Sequence, residues 1–107
     1  MSLNRLSDKL VFNILAGINV GYLEITNYQG EVFKFGNPQD NLKAKLKIKK
    51  PNFSFNLIKG GSIGFAESYM RGEFETDNLS NLIEITARNI KIIYKFSGLL
   101  DFPIINF

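Results

Sequence analysis

The sequence predicts an α+β fold in which a small antiparallel sheet packs against helices, and three observations predict it. Within a predicted strand over 42–50, apolar residues and lysines alternate strictly from 42 to 49, which is the period of a strand with one buried face. A Gln29-Gly30 pair separates two short runs of alternating polarity, a pattern typical of a β-hairpin. Apolar residues recur at helical spacing near both ends of the chain.

The first half of the chain divides into a helix and three strands. A broad apolar face predicts a helix over residues 3–16, which ends at Gly17. The hairpin strands are expected over 21–28 and 31–35, and residues 36–41 have the composition of a loop. In the third strand, over 42–50, we expect one side to face the core and the other to face water: inward Leu42, Ala44, Leu46 and Ile48, outward Lys43, Lys45, Lys47 and Lys49.

The second half is predicted to be helical. Pro51 suits the first position of a helix over 51–59, with Phe53, Leu57 and Ile58 directed inward, and Gly60 and Gly61 end that helix. A second short helix follows, with an apolar face made by Ile63, Ala66 and Met70. Gly72 closes it in a left-handed conformation.

The last helix is expected to start at Asp77 as N-cap and to run from Asn78 to about Phe96. Beyond it, residues 99–107 form an apolar tail broken by Pro103. Such a tail is too apolar to extend freely into water, so it folds back, packs on a partner chain or meets another domain.

Composition limits the function classes. The 107 residues suit one domain, and 45% hydrophobic with 21% charged residues is ordinary for a globular protein. The chain has no cysteine and no histidine, which excludes disulfides, thiolate or imidazole metal sites and Ser-His or Cys-His catalysis within it. No apolar run is long enough to span a membrane, and we expect a cytoplasmic location.

The segment over 60–79 resembles a known signature. Its characteristic residues are Gly64, Glu67, Tyr69, Met70 and Gly72. This string resembles the N-terminal signature of cyclopropane-fatty-acyl-phospholipid synthases, the family that includes mycolic acid cyclopropane synthases. The resemblance covers roughly residues 20–89 and departs from the family at Phe74, where the family often has Trp.

The resemblance implies a sterol-carrier-protein-like domain that presents phospholipid acyl chains to a separate catalytic domain. In the family, that catalytic domain binds S-adenosylmethionine and transfers a methylene group across a cis double bond. Its glycine-rich cofactor motif does not occur in this sequence. We therefore expect the 107 residues to be a single non-catalytic N-terminal domain without a cofactor or metal of its own, with the methyltransferase domain as a partner.

The lysine ribbon, defined as Lys43, Lys45, Lys47 and Lys49, leaves two interpretations open. It can attract an anionic phospholipid surface, at about 1 kcal/mol per basic residue, which would place the protein peripherally at the inner membrane. It can equally be a solvated strand face that discourages edge-to-edge pairing, the interpretation that the lysine-rich composition favours. A net charge of +3, without aromatic residues interleaved in the ribbon, argues against nucleic acid as a partner.

The corner, meaning the segment over 60–79, carries the remaining polar candidates. Glu67, Tyr69 and Arg71 could converge on a polar substrate group, but we favour local bonding of Glu67 and packing of Tyr69, because one carboxylate without a second catalytic group makes no reaction. The acids at 73, 75 and 77 are expected to lie near the positive end of the following helix dipole, not around a metal.

Two other functions stay open on the sequence. The apolar tail and the corner could form a freestanding homodimeric interaction module. The abundance of phenylalanine and isoleucine could instead line the cavity of a soluble lipid-binding carrier. The sequence specifies neither the oligomeric state nor an acyl-chain preference.

Overall fold

A computed structural model of the chain describes residues 3–93. Its elements are, in chain order, α1 (Leu3–Leu15), β1 (Tyr22–Thr26), β2 (Val32–Gly36), β3 (Lys43–Ile48), α2 (Phe53–Met70), β4 (Phe74–Thr76) and α3 (Leu79–Arg88), followed by one helical turn over 90–93. The predicted α+β class is confirmed. The apolar tail over 99–107, and the predicted extension of the last helix to Phe96, lie outside the described residues.

The sheet has the strand order β2-β1-β3-β4 and is mixed. The hairpin pair β1–β2 and the pair β3–β4 are antiparallel, whereas β1 and β3 are parallel. The expectation of a wholly antiparallel sheet is therefore wrong. One side chain explains the parallel pair, because the Asp40 carboxylate accepts hydrogen bonds from the amides of both Gly21 (2.8 Å) and Leu42 (2.9 Å), fixing the starts of β1 and β3 side by side.

The core lies between one face of the sheet and the helices. Buried strand residues Leu23, Ile25, Ala44, Leu46 and Ile48 meet Phe53 from α2 and Leu82 and Ile85 from α3. Phe12 and Leu15 of α1 pack against the same cluster. The alternation predicted for β3 is confirmed, since its alanine, leucine and isoleucine are buried and its lysines are exposed.

The helix ends differ from the prediction by one residue or more. The N-cap of α2 is Asn52, so Pro51 precedes the helix. The N-cap of α3 is Asn78, whose side chain accepts from the amide of Asn81, while Asp77 lies outside the helix. Within the described residues α3 ends at Arg88, because Asn89 leaves the helical path to bond to the loop before β1.

Candidate functional site

Helix α2 is bent at Gly61, which has φ 57° and ψ −136°. A positive φ of this kind favours glycine because a Cβ would crowd the backbone. The bend divides α2 into an N-terminal arm (53–60) and a C-terminal arm (62–70). The predicted helix boundary at Gly60 and Gly61 thus corresponds to a sharp bend, and the predicted left-handed conformation of Gly72 is confirmed at φ 70°.

Gly64 is the point where the two arms touch. A Cβ placed there would lie 2.5 Å from the backbone oxygen of Asn56, which belongs to the N-terminal arm. Any residue other than glycine would therefore force one of the arms to move. The signature glycine at this position therefore has a structural reason, which is the close approach of the arms.

We expect Gly64→Ala to lower the free energy of unfolding by about 1–3 kcal/mol, because the added methyl group must push the arms apart. Gly60→Ala is the matched control, since a Cβ there meets nothing within 4 Å. Because alanine favours helix over glycine, the control should be neutral or slightly stabilising. Urea unfolding of both variants measures the difference, and equal stabilities would contradict the close approach.

The apolar face predicted for the second helix is exposed. Ile63 is 72% exposed and Met70 is 76% exposed, and Ala66 is exposed as well. The buried residues of the C-terminal arm are instead Gly64 and Ser68. Small residues take the inner side because they allow the arms to approach, which a row of large side chains would prevent.

Tyr69 and Glu67 lie on the outer part of the corner. The Tyr69 ring is 5.6 Å from the Phe74 ring, in a tilted arrangement, so its predicted packing is confirmed although the residue is 43% exposed. Glu67 is exposed. The buried carboxylate of the corner is Glu73, and the Arg71 guanidinium pairs with it. The local bonding expected for Glu67 is therefore made by Glu73, and the expectation for Glu67 is wrong.

Glu73 binds both arms of α2. Its Oε1 accepts hydrogen bonds from Ser68 Oγ (2.7 Å) and from Asn56 Nδ2 (3.2 Å), and its Oε2 accepts from Arg71 Nε (2.9 Å). These donors, with Arg71 the strongest, lower the pKa of Glu73 to about 2. Its expected role beside the α3 dipole is wrong, because the side chain is buried against α2.

The other two acids of this segment contact β3 and the residue that directly follows it. Glu75 forms an ion pair with Lys49 at 2.6 Å, and this pairing lowers the pKa of the Glu75 carboxyl. Asp77 Oδ1 accepts the amide of Lys45 at 2.7 Å. Together with the β3–β4 pairing, these contacts hold β4 in the sheet. The sequence did not predict this strand, because three residues are too few to show an alternating pattern. Glu75 therefore lies on the sheet and not beside the α3 dipole, whereas Asp77 bonds to β3 while directly preceding the N-cap of α3.

The lysine ribbon is exposed along the outer face of β3. Lys45 lies 3.7 Å from Glu24 on β1, and Lys49 pairs with Glu75 on β4. Lys43 lies over the Tyr22 ring, with its Nζ 5.9 Å from the ring centroid. The ribbon is therefore a basic row with an acid on each side of it.

An apolar cleft of about 440 Å³ lies on the other face of the sheet. All three helices and the inner face of the sheet contribute to it, with side chains such as Phe12, Leu57, Phe65, Ile83 and Ile90. Among its described lining residues, Ser62 and Thr86 are the polar ones, and Thr86 Oγ1 already donates to the backbone oxygen of Leu82. Such a lining suits an uncharged, apolar ligand.

The structure does not bring the lysine ribbon and the apolar cleft together, although both are candidate lipid contacts. Because successive side chains of a strand point to opposite faces, the lysine ribbon and the cleft lie on opposite sides of β3. A ligand in the cleft cannot contact the ribbon. Lipid chain and lipid surface would have to be bound at separate places.

Asn89 is a residue that sequence reasoning missed. It is 2% exposed, and its side chain bonds to the amides of Asn19 and Val20 and to the backbone oxygens of Val20 and Ile85. No local pattern marks it, because its main partners lie about 70 positions earlier in the chain.

Across residues 3–93 the structure shows no group of acidic residues placed to hold a metal ion. No helix in that part of the chain has the length and apolarity needed to cross a membrane. Comparisons with family models, curated proteins and solved structures give no match to this chain.

Proposed function

We propose that this chain is an acyl-chain-binding domain without catalysis of its own, serving a cyclopropane-fatty-acyl-phospholipid synthase-like methyltransferase in the cytoplasm. In this proposal the partner domain binds S-adenosylmethionine, and this domain holds the lipid. The observation that carries the proposal is the apolar cleft between the helices and the sheet. The resemblance over 60–79 supplies the link to the family, and Ser62 and Phe65 of that segment line the cleft.

The cleft suits an acyl chain in size and chemistry. Its volume of about 440 Å³ falls within the range of about 300–1,000 Å³ found for small-molecule sites. Transfer of each methylene group from water into such a lining is worth about 0.8 kcal/mol. An acyl chain needs no polar partner along its length, and the lining offers almost none.

The decisive experiment is displacement of a fluorescent fatty acid from the chain by palmitate. Ser62 is exposed and lines the cleft, so Ser62→Phe should block it and weaken palmitate binding roughly tenfold or more. Ser80→Phe is the control, because Ser80 is exposed on α3 but does not line the cleft.

Equal palmitate affinity in both variants would contradict an acyl site in the cleft. If the unmodified chain binds no fatty acid and sediments as a dimer, the homodimeric interaction module is the better function. The exposed Ile63 and Met70 on the C-terminal arm favour that second candidate. Fatty-acid binding by a monomer that associates with no methyltransferase domain would instead favour the lipid-binding carrier.

For the lysine ribbon we propose contact with an anionic phospholipid surface. Replacing Lys43, Lys45 and Lys47 with Gln should remove most binding to anionic vesicles, while palmitate affinity stays unchanged because the cleft lies on the other side of β3. Vesicle binding should also fall steeply with salt, since exposed charges are screened over about 10 Å at 0.1 M. Equal binding to neutral and anionic vesicles, measured by co-sedimentation, would leave the ribbon as a solvated strand face.

A further inference from the structure

The two arms of α2 form one continuous wall of the cleft. Phe53 and Leu57 line it from the N-terminal arm, and Ser62 and Phe65 line it from the C-terminal arm. Gly61, at the bend, lines it as well. A change in the angle between the arms would therefore change the shape of this wall of the cleft.

One carboxylate bonds to both arms at once. Glu73 Oε1 accepts from Asn56 on the N-terminal arm and from Ser68 on the C-terminal arm. A side chain that holds donors from the two arms on the same oxygen limits how far they can separate. The contact of Gly64 with the backbone of Asn56 limits how far they can close.

The same residue is anchored to the sheet through its backbone. The amide of Glu73 donates to the backbone oxygen of Ser68 at 2.9 Å, and the backbone oxygen of Glu73 accepts from the amide of Lys49 at 2.9 Å. Lys49 directly follows β3, whose Leu46 forms the floor of the cleft together with Leu23 and Ile25 of β1. Glu73 therefore holds the bent helix in a fixed place relative to that floor.

We propose that Glu73 is a positioning residue that sets the angle between the arms of α2 and thereby decides which acyl chains the cleft admits. The proposal rests on the function proposed above. A straight saturated chain is the narrowest ligand, so a cleft held at one width favours it over a methyl-branched chain. Release of the arms should admit the thicker chain.

The first test compares the affinities of the full chain for palmitate and for a methyl-branched fatty acid with the same main-chain length. In Glu73→Gln the preference for palmitate should fall roughly tenfold, which is the discrimination an apolar pocket gains from one methyl or methylene group. Asn56→Ala cuts only the bond to the N-terminal arm and should shift the preference in the same direction with a smaller loss of stability. Glu75→Gln is the control on the neighbouring strand, because its carboxylate pairs with Lys49 outside the cleft.

A preference that stays the same while both affinities fall would overturn the proposal and leave Glu73 a merely stabilising residue. A preference that changes equally in Glu75→Gln would overturn it too, because that change could not come from the arms.

The second test does not need a ligand. The chain has no cysteine, so spin labels can be placed on cysteines introduced at exposed Asn52, at the start of the N-terminal arm, and at exposed Met70, at the end of the C-terminal arm. Pulsed electron paramagnetic resonance should show a longer mean distance or a broader distance distribution between the labels in Glu73→Gln and in Asn56→Ala than in the unmodified chain. Unchanged distances would overturn the control of the arm angle, whatever binds in the cleft. Changed distances without any fatty-acid binding would instead refute the proposed function and the acyl selectivity while supporting the control of the arms.

Discussion

Replacement of Asn89 by alanine is expected to lower the free energy of unfolding by about 3–5 kcal/mol, the largest effect of any single polar substitution in the described chain. The Asn89 side chain satisfies two amides and two backbone oxygens while it is 2% exposed. Alanine would leave these groups without their partner and open a cavity between the end of α3 and the start of β1. Urea unfolding followed by circular dichroism measures the loss.

The control for this prediction is Asn41→Ala. Asn41 is an exposed loop residue, so its replacement should change stability by no more than about 0.5 kcal/mol. Asn89→Asp gives a further check, because the carboxylate keeps the acceptor but cannot donate to the oxygens of Val20 and Ile85. If Asn89→Ala is as stable as Asn41→Ala, the network around Asn89 does not hold the fold together.

The second large effect is expected at Glu73. Glu73→Gln should lower the free energy of unfolding by about 2–3 kcal/mol at neutral pH, because the charge-assisted bonds to Arg71 and Ser68 are lost or weakened. Thermal or urea unfolding at pH 7 measures this loss. Glu75→Gln should cost far less, since its ion pair with Lys49 is exposed to solvent.

Glu73 should also make the stability of the chain depend on pH. The pKa of Glu73 is lowered from 4.5 to about 2 in the folded chain, so the folded state binds its proton less readily than the unfolded state does. Its contribution is fully present above the unfolded pKa and is lost as the pH falls from about 5 towards 2. The unmodified chain should therefore lose more stability over this interval than Glu73→Gln does. Parallel pH profiles for the two proteins would contradict the buried ionised carboxylate.

The sequence draws attention to the segment around Glu73, but it does not show that the Glu73 carboxylate bonds to both arms of α2. Glu67 and Glu73 are both acids in one glycine-rich segment, and the sequence does not show that the bend at Gly61 brings Asn56 and Ser68 together beside Glu73. Helical periodicity placed Ile63 and Met70 on an apolar face, but periodicity does not say whether that face is turned inward. The close contact at Gly64 decides it, because small residues must occupy the side where the arms touch.

The sequence by itself determined the features that depend on neighbouring residues. The strict alternation over 42–49 determined which side of β3 is buried, and the glycines at 61 and 72 determined where the backbone bends and where the helix ends. These features follow from side-chain period and from the steric freedom of glycine, and both act within a few residues.

Only the tertiary structure decided the features that join distant parts of the chain. The parallel pairing of β1 with β3 depends on Asp40, the short strand β4 depends on β3, and the order around Asn89 depends on residues about 70 positions away. The cleft likewise exists only once three helices and a sheet are assembled. Hydrogen bonding and burial between such segments depend on how the segments are placed in space. A local pattern in the sequence does not contain that information.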